Sequence, residues 1–153
     1  MNDDIVLNDA FSKIISTPAN LSNWDIIKLA DNQNNPVVDS RTLDNGVEIV
    51  CYKRIPNCTT GYMISRQGAE KLLSRKRFYR AIDVDMQFHQ ELGLKIIGLR
   101  PYPITEADFD SEIALMNNGK HNNSSTFFRN VRFRLAIIKQ RQKASADLNS
   151  ITN

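Results

Sequence analysis

Apolar residues along this chain gather in short runs separated by polar turns. Phe11, Ile14 and Ile15 share one face at i, i+3, i+4 spacing, which predicts a short helix capped by Asn8 or Asp9 and closed by Pro18. Residues 24–30, W-D-I-I-K-L-A, form a bulky run that predicts a buried strand, and the polar residues 31–36 predict a loop. V-E-I-V-C-Y-K at 47–53 reads as a second strand after the Asp44-Asn45-Gly46 turn, with Pro56 ending whatever follows it.

Residues 60–64 predict a third strand, and Ser65 is placed to cap a helix whose apolar face is Ala69, Leu72 and Leu73. Asp83 or Asp85 can cap a further helix carrying Val84, Phe88 and Leu92, with Gly93 as its stop. Residues 94–99 predict a fourth strand, from which Pro101 and Pro103 force an extended exit. The polar residues 105–125 read as loop. Residues 127–143 predict a basic amphipathic helix: Phe127, Val131, Leu135 and Ile138 form one stripe, and Arg129, Arg132, Lys139 and Lys143 gather on the other side. Residues 144–153 read as a frayed end.

Strands mixed with helices predict an α/β fold, in which ligands usually sit beyond the carboxyl ends of the strands. The composition, 41% hydrophobic and 24% charged over 153 residues, is that of an ordinary globular domain and excludes disorder and collagen. No run approaches the roughly 20 apolar residues of a membrane span, and Asn2-Asp3-Asp4 is unlike a secretion leader, so the expected location is cytoplasmic. Charge is unevenly spread: residues 120–153 carry seven basic residues and one acidic, net +6, which against the overall +3 leaves −3 for residues 1–119. A basic tail on a weakly acidic body points to an anionic partner or a solvated face.

Cys51 and Cys58 lack C-x-x-C spacing and a nearby histidine, so the expectation is a pair of ordinary reduced thiols. No G-x-G-x-x-G or P-loop pattern can be written. Two carboxylate pairs, Asp3-Asp4 and Asp83-Val84-Asp85, could each hold a hard divalent cation such as Mg²⁺ or Mn²⁺, whereas their plain reading is a solvated terminus and helix caps. His89, one turn after Asp85, reads as either a second ligand or a histidine beside a carboxylate. Tyr52, Tyr62, Tyr79 and Tyr102 could stack on sugar rings or fill core and rim positions.

In G-Y-M-I-S-R-Q-G-A-E-K-L-L at 61–73, A-I-D-V-D-M at 81–86 and L-K-I-I-G-L-R-P-Y-P-I at 94–104, together with W-D-I-I-K-L at 24–29, the sequence resembles glycosyltransferase family 25 over residues 3–104. That family includes the bacterial enzymes of lipooligosaccharide and lipopolysaccharide biosynthesis. Asn2-Asp3-Asp4 stands where the family has E-D-D, without the glutamate, and the strands and helices that precede this motif in the family and hold the donor's nucleotide there have no counterpart here.

The resemblance implies the C-terminal part of a GT-A-like, Rossmann-like domain over residues 1–119, followed by a polar loop and basic helical tail over 120–153. It also implies an N-terminally truncated chain. The implied activity is transfer of a hexose, galactose or glucose, from a UDP-sugar to a saccharide acceptor, with Asp3 and Asp4 on Mn²⁺ or Mg²⁺ and Asp83 or Asp85 as the base. The alternatives are a catalytically inactive fragment or a non-catalytic binding module. The tail is expected to meet the inner face of the cytoplasmic membrane and its lipid-linked acceptors. Nucleic acid is disfavoured, because no recognised motif accompanies the basic tail.

Overall fold

The computed structural model describes residues 5–31, 34–57, 59–77, 80–106, 134, 135, 138 and 146–151. Its elements in chain order are β1 (Ile5–Leu7), α1 (Phe11–Ser16), β2 (Ile26–Lys28), β3 (Val37–Thr42), β4 (Glu48–Tyr52), β5 (Tyr62–Ile64), α2 (Arg66–Leu73), α3 (Ile82–Met86), β6 (Ile96–Arg100) and β7 (Ile104–Glu106). One sheet runs β3-β4-β6-β2-β5; within it β2 and β6 are parallel, with Ile26 opposite Ile96, and the other pairings are antiparallel. The four expected strands all fall in this sheet. β1 and β7 form a separate antiparallel ribbon.

Both faces of the sheet are buried, which explains why its central strands read as unbroken apolar runs instead of alternating ones. Ile27, Leu29, Ile49, Cys51, Ile97 and Leu99 point into one core, where Ile14 of α1 and Ile104 join them. Ile26, Val50, Tyr52 and Ile96 point into the other, with Ile55, Met86 of α3 and Leu94, and Leu72 of α2 packs against it. The architecture is therefore mixed α/β with helices on both faces of the sheet.

Several expectations change against this frame. The sequence predicts a frayed end over 144–153; of these residues 146–151 are described, and they form a helical stretch whose Leu148 and Ile151 are buried in the first core. The Ser22 amide donates to the Ile151 carbonyl, and Lys95 Nζ reaches Ser150 Oγ at 2.9 Å. Ser65 does cap α2, its Oγ accepting from the Gly68 amide at 3.0 Å. Leu73, however, is 77% exposed; the face of α2 that meets β2 centres on buried Gly68, where a Cβ would press on the Asp25 carbonyl. Neither Asp83 nor Asp85 caps α3, because the N-cap residue is Ala81 and both aspartates lie within the helix. Gly93 does stop the following 3-10 turn, at φ 62°.

Candidate functional site

The polar groups nearest to where an α/β sheet usually binds ligands are those at the carboxyl ends of the two parallel strands. Lys28 closes β2 and is fully buried, which is rare for a lysine. It pairs across the sheet with Tyr62 on one side and Gly98 on the other, and its Nζ lies 5.9 Å from the centre of the Tyr62 ring. Gly98 has a specific use here. A Cβ at this position would run into the Tyr52 hydroxyl, so its absence lets the Tyr52 ring cross β6 and meet Tyr102, hydroxyl to hydroxyl at 2.7 Å.

Arg100, the last residue of β6, holds its guanidinium 5.5 Å from the Tyr102 ring centre and 4.0 Å from Glu48. Burial, and then Tyr102 itself, raise the Tyr52 hydroxyl well above its ordinary pKa. Burial also raises Tyr102, partly opposed by Tyr52 and Arg100. Both phenols therefore stay protonated at neutral pH and can donate as well as accept. Just past β2, Asp31 accepts from the Asn35 amide at 2.8 Å and from Asn35 Nδ2 at 2.7 Å. The arrangement offers the Arg100 guanidinium and tyrosine rings along one edge, with Lys28 buried against Tyr62, a combination suited to phosphate oxygens beside a sugar.

The ribbon is fastened to this same edge. The Ile104 amide donates to the Leu29 carbonyl at 3.3 Å, Asn8 Nδ2 donates to the Tyr102 carbonyl at 2.7 Å, and the Asn8 amide donates to the Pro103 carbonyl. β1 begins directly after Asp4, and its first residue, Ile5, is in register with Glu106. Asp3 and Asp4 themselves lie outside the described residues, as does the side chain of Asp83. Among the described residues no three His, Cys, Asp or Glu side chains gather to hold a metal ion.

Asp85 is described, and it sits in a different cluster. It is buried, and its Oδ1 accepts from Arg75 and Arg80, both at 3.0 Å. Glu91 takes the second branch of each arginine, at 2.8 Å from Arg75 and 3.1 Å from Arg80, while Arg80 stacks 4.1 Å from the Phe88 ring centre. Partial burial pushes the Glu91 carboxyl upward, but Arg80 and Arg75 outweigh it and hold the carboxyl below its ordinary range. Two carboxylates and two guanidiniums thus fasten α3 to the segments on either side of it. His89, also buried, is in the 3-10 turn that follows. Asp85 is joined to these arginines and not to the Lys28 and Arg100 edge.

Two buried charges escape the motif reading. Asp25 accepts from Lys71 Nζ at 2.6 Å and from the Lys95 amide at 2.8 Å, fixing α2 over the start of both parallel strands. Lys28 is the other. A signal for both was present, because charges embedded in an apolar strand must find partners. Cys51 is buried as a free thiol, pushed up to about 12 by burial and then by Asp147 and Asp39, while Cys58 lies outside the described residues. Among the described residues no helix is long and apolar enough to cross a membrane. Comparison of the chain with known protein families, with characterised proteins and with solved structures finds no match in any of the three.

Proposed function

We propose that the protein is a glycosyltransferase that moves a hexose, galactose or glucose, from a nucleotide-sugar, a UDP-sugar by preference, to a saccharide acceptor of surface-glycan synthesis. The observation that carries this reading is the edge where β2 and β6 end. It places Lys28, Arg100, the Tyr52–Tyr102 pair and the exposed Tyr62 beside the ribbon that opens immediately after Asp3-Asp4. The Arg100 guanidinium there answers the diphosphate, and the tyrosine rings answer the sugar.

In this reading Arg100 binds and orients the donor's phosphates, while Tyr62 and Tyr102 line the hexose and Lys28, buried against the Tyr62 ring, supports it. Asp3 and Asp4 are the residues that would hold a divalent cation, which when bound offsets charge developing on the leaving diphosphate. A carboxylate of the 83–85 segment takes the acceptor hydroxyl's proton. Arg75 and Arg80 already occupy Asp85, which suits it to positioning α3, so the proton falls to Asp83.

The test is a transfer assay with Mn²⁺, a panel of UDP-hexoses and saccharide acceptors, run on the unaltered protein and on Asp83→Asn, Asp4→Asn and Arg100→Met. Metal-dependent transfer that falls at least a hundredfold in each variant supports the reading. Saturable nucleotide-sugar binding without transfer would make the protein a binding module instead, and neither binding nor transfer would reject the family reading altogether.

A further inference from the structure

A sheet edge is a row of unpaired amides and carbonyls, and proteins guard it with charge, proline or a bulge. Among the described residues three strands leave an edge open: β3 and β5 at the two ends of the five-stranded sheet, and β1 in the ribbon, since β7 turns its outer side to the Leu29 carbonyl. β3 is guarded by the register shift between Val37 and Asp39 and by the charges of Asp39 and Arg41. β1 has Asp3-Asp4 before it and Asp9 after it in the chain, like charges that disfavour pairing with a copy of itself. β5 is unguarded: residues 60–65, T-G-Y-M-I-S, hold no charge and no proline, and Tyr62 and Ile64 are 37% and 38% exposed.

The pairing of β5 with β2 fixes which of its groups face outward. The Ser65 amide donates to the Asp25 carbonyl and the Leu29 amide to the Gly61 carbonyl, so both are hydrogen-bonded pairs of the antiparallel ladder. Such pairs alternate along a ladder, which leaves Tyr62 and Ile64 as the positions whose amides and carbonyls point away from β2. Their side chains lie on one face of the sheet, and Met63, packed against the first core, lies on the other. A two-fold rotation about Met63 sets Tyr62 of one copy opposite Ile64 of the other, and the reverse, so the edge is complementary to itself. Every outward amide then meets an outward carbonyl, and each exposed apolar side chain gains a cross-strand neighbour. No like charges are brought together, because residues 60–65 carry none. A two-fold at Tyr62 would instead set Ile64 against Thr60, and one at Ile64 would set Tyr62 against Arg66.

From this geometry we infer that β5 is the contact of a homodimer in which two copies join edge to edge and their five-stranded sheets become one. Pairing over so short a strand buries well under the roughly 1,200 Å² of a standard stable complex, so the dimer is weak and forms as concentration rises. The inference stands independently of the glycosyltransferase reading.

The experiment is cysteine cross-linking of the full chain in a Cys51→Ala/Cys58→Ser background, with Tyr62→Cys, Met63→Cys and Ile64→Cys oxidised under identical mild conditions and read on a non-reducing gel. About the two-fold, position 63 faces itself in a non-hydrogen-bonded pair, with Cα atoms about 4.5 Å apart and within reach of a disulfide, whereas positions 62 and 64 face each other and not themselves. The expected result is disulfide-linked dimer at least tenfold more abundant for Met63→Cys than for the other two. Sedimentation equilibrium of the unaltered chain should show a monomer–dimer equilibrium that Ile64→Lys weakens at least tenfold without shifting the melting curve. A monomer up to millimolar concentration, cross-linking at 62 or 64 that equals that at 63, or association untouched by Ile64→Lys overturns the inference. So does a dimer that survives Ile64→Lys and is lost in Val6→Lys, since the contact would then be the edge of β1.

Discussion

Replacing Asp85 by alanine separates its structural role from any chemical one. The carboxylate is 5% exposed and bridges Arg75 and Arg80, whose side chains are 12% and 22% exposed. Removing one partner of a buried ion pair typically costs about 3–5 kcal/mol, because the remaining charge is stranded. Here Glu91 still reaches both arginines, which places the expected loss at the low end, about 3 kcal/mol. For a domain of this size that lowers Tm by roughly 6–12 °C. Asp85→Asn keeps the shape and an acceptor oxygen and should lose about half as much. Urea unfolding followed through Trp24, the one tryptophan, reads both losses directly. A double-mutant cycle with Arg75→Met should return a coupling of about 1–3 kcal/mol.

The same cluster predicts an acid limit. Glu91 titrates in the folded state below its unfolded value of 4.5, so the stability it contributes is present above that pH and fades as pH falls through the lower folded value. An Asp85→Ala protein that loses less than about 0.5 kcal/mol would refute the argument that this network holds α3 in place.

Three shorter predictions concern the core. Leu148→Ala should cost about 2–4 kcal/mol by urea unfolding, and removing residues 146–153 should make the remainder sensitive to protease, because Leu148 and Ile151 complete the first core. Gly98→Ala should cost about 1–3 kcal/mol in thermal melts, since the added methyl meets the Tyr52 hydroxyl and Val50 Cγ2, and pairing it with Tyr52→Leu should recover part of the loss. In a Cys58→Ser background, Cys51 should resist a thiol-specific disulfide reagent for hours at pH 8 and react at once in urea, because its thiol titrates near 12 in the fold.

What the sequence revealed and what it hid follow from how far each interaction reaches. Strands β2, β4, β5 and β6 are legible because burial on both faces demands apolar bulk at nearly every position, and the Ser65 cap is legible because it acts over three residues. β3 is hidden: V-V-D-S-R-T is an edge strand whose outer half carries polar side chains. β1 and β7 are three residues each and exist through pairing across about a hundred positions of chain. The stretch 146–151 offers only Leu148 and Ile151 as apolar contacts, and what makes it structured is the sheet beneath it.

The candidate site divides in the same way. Asp83 and Asp85 are visible as a motif, but the arginines that claim Asp85 come from positions 75 and 80, outside any helical repeat. Lys28 and Tyr52 are unremarkable one at a time. Gly98, a glycine inside a strand, is the local sign that another group crosses the backbone there. The stripe over 127–143 is legible from its period, but of that segment only residues 134, 135 and 138 are among those described, with Leu135 and Ile138 exposed.

The claim at the centre of this account is that the edge formed by Arg100, Tyr62 and Tyr102, with Lys28 buried against Tyr62, holds the diphosphate and hexose of a nucleotide-sugar. Titration calorimetry of UDP-galactose and UDP-glucose into the protein with Mn²⁺, repeated on Tyr62→Ala and Arg100→Met, is the decisive measurement. The account predicts saturable binding of at least one donor, weakened at least tenfold by each substitution while the melting curve of Arg100→Met is unchanged. Binding that ignores both substitutions, or no heat of binding for either donor in a folded protein, would contradict it.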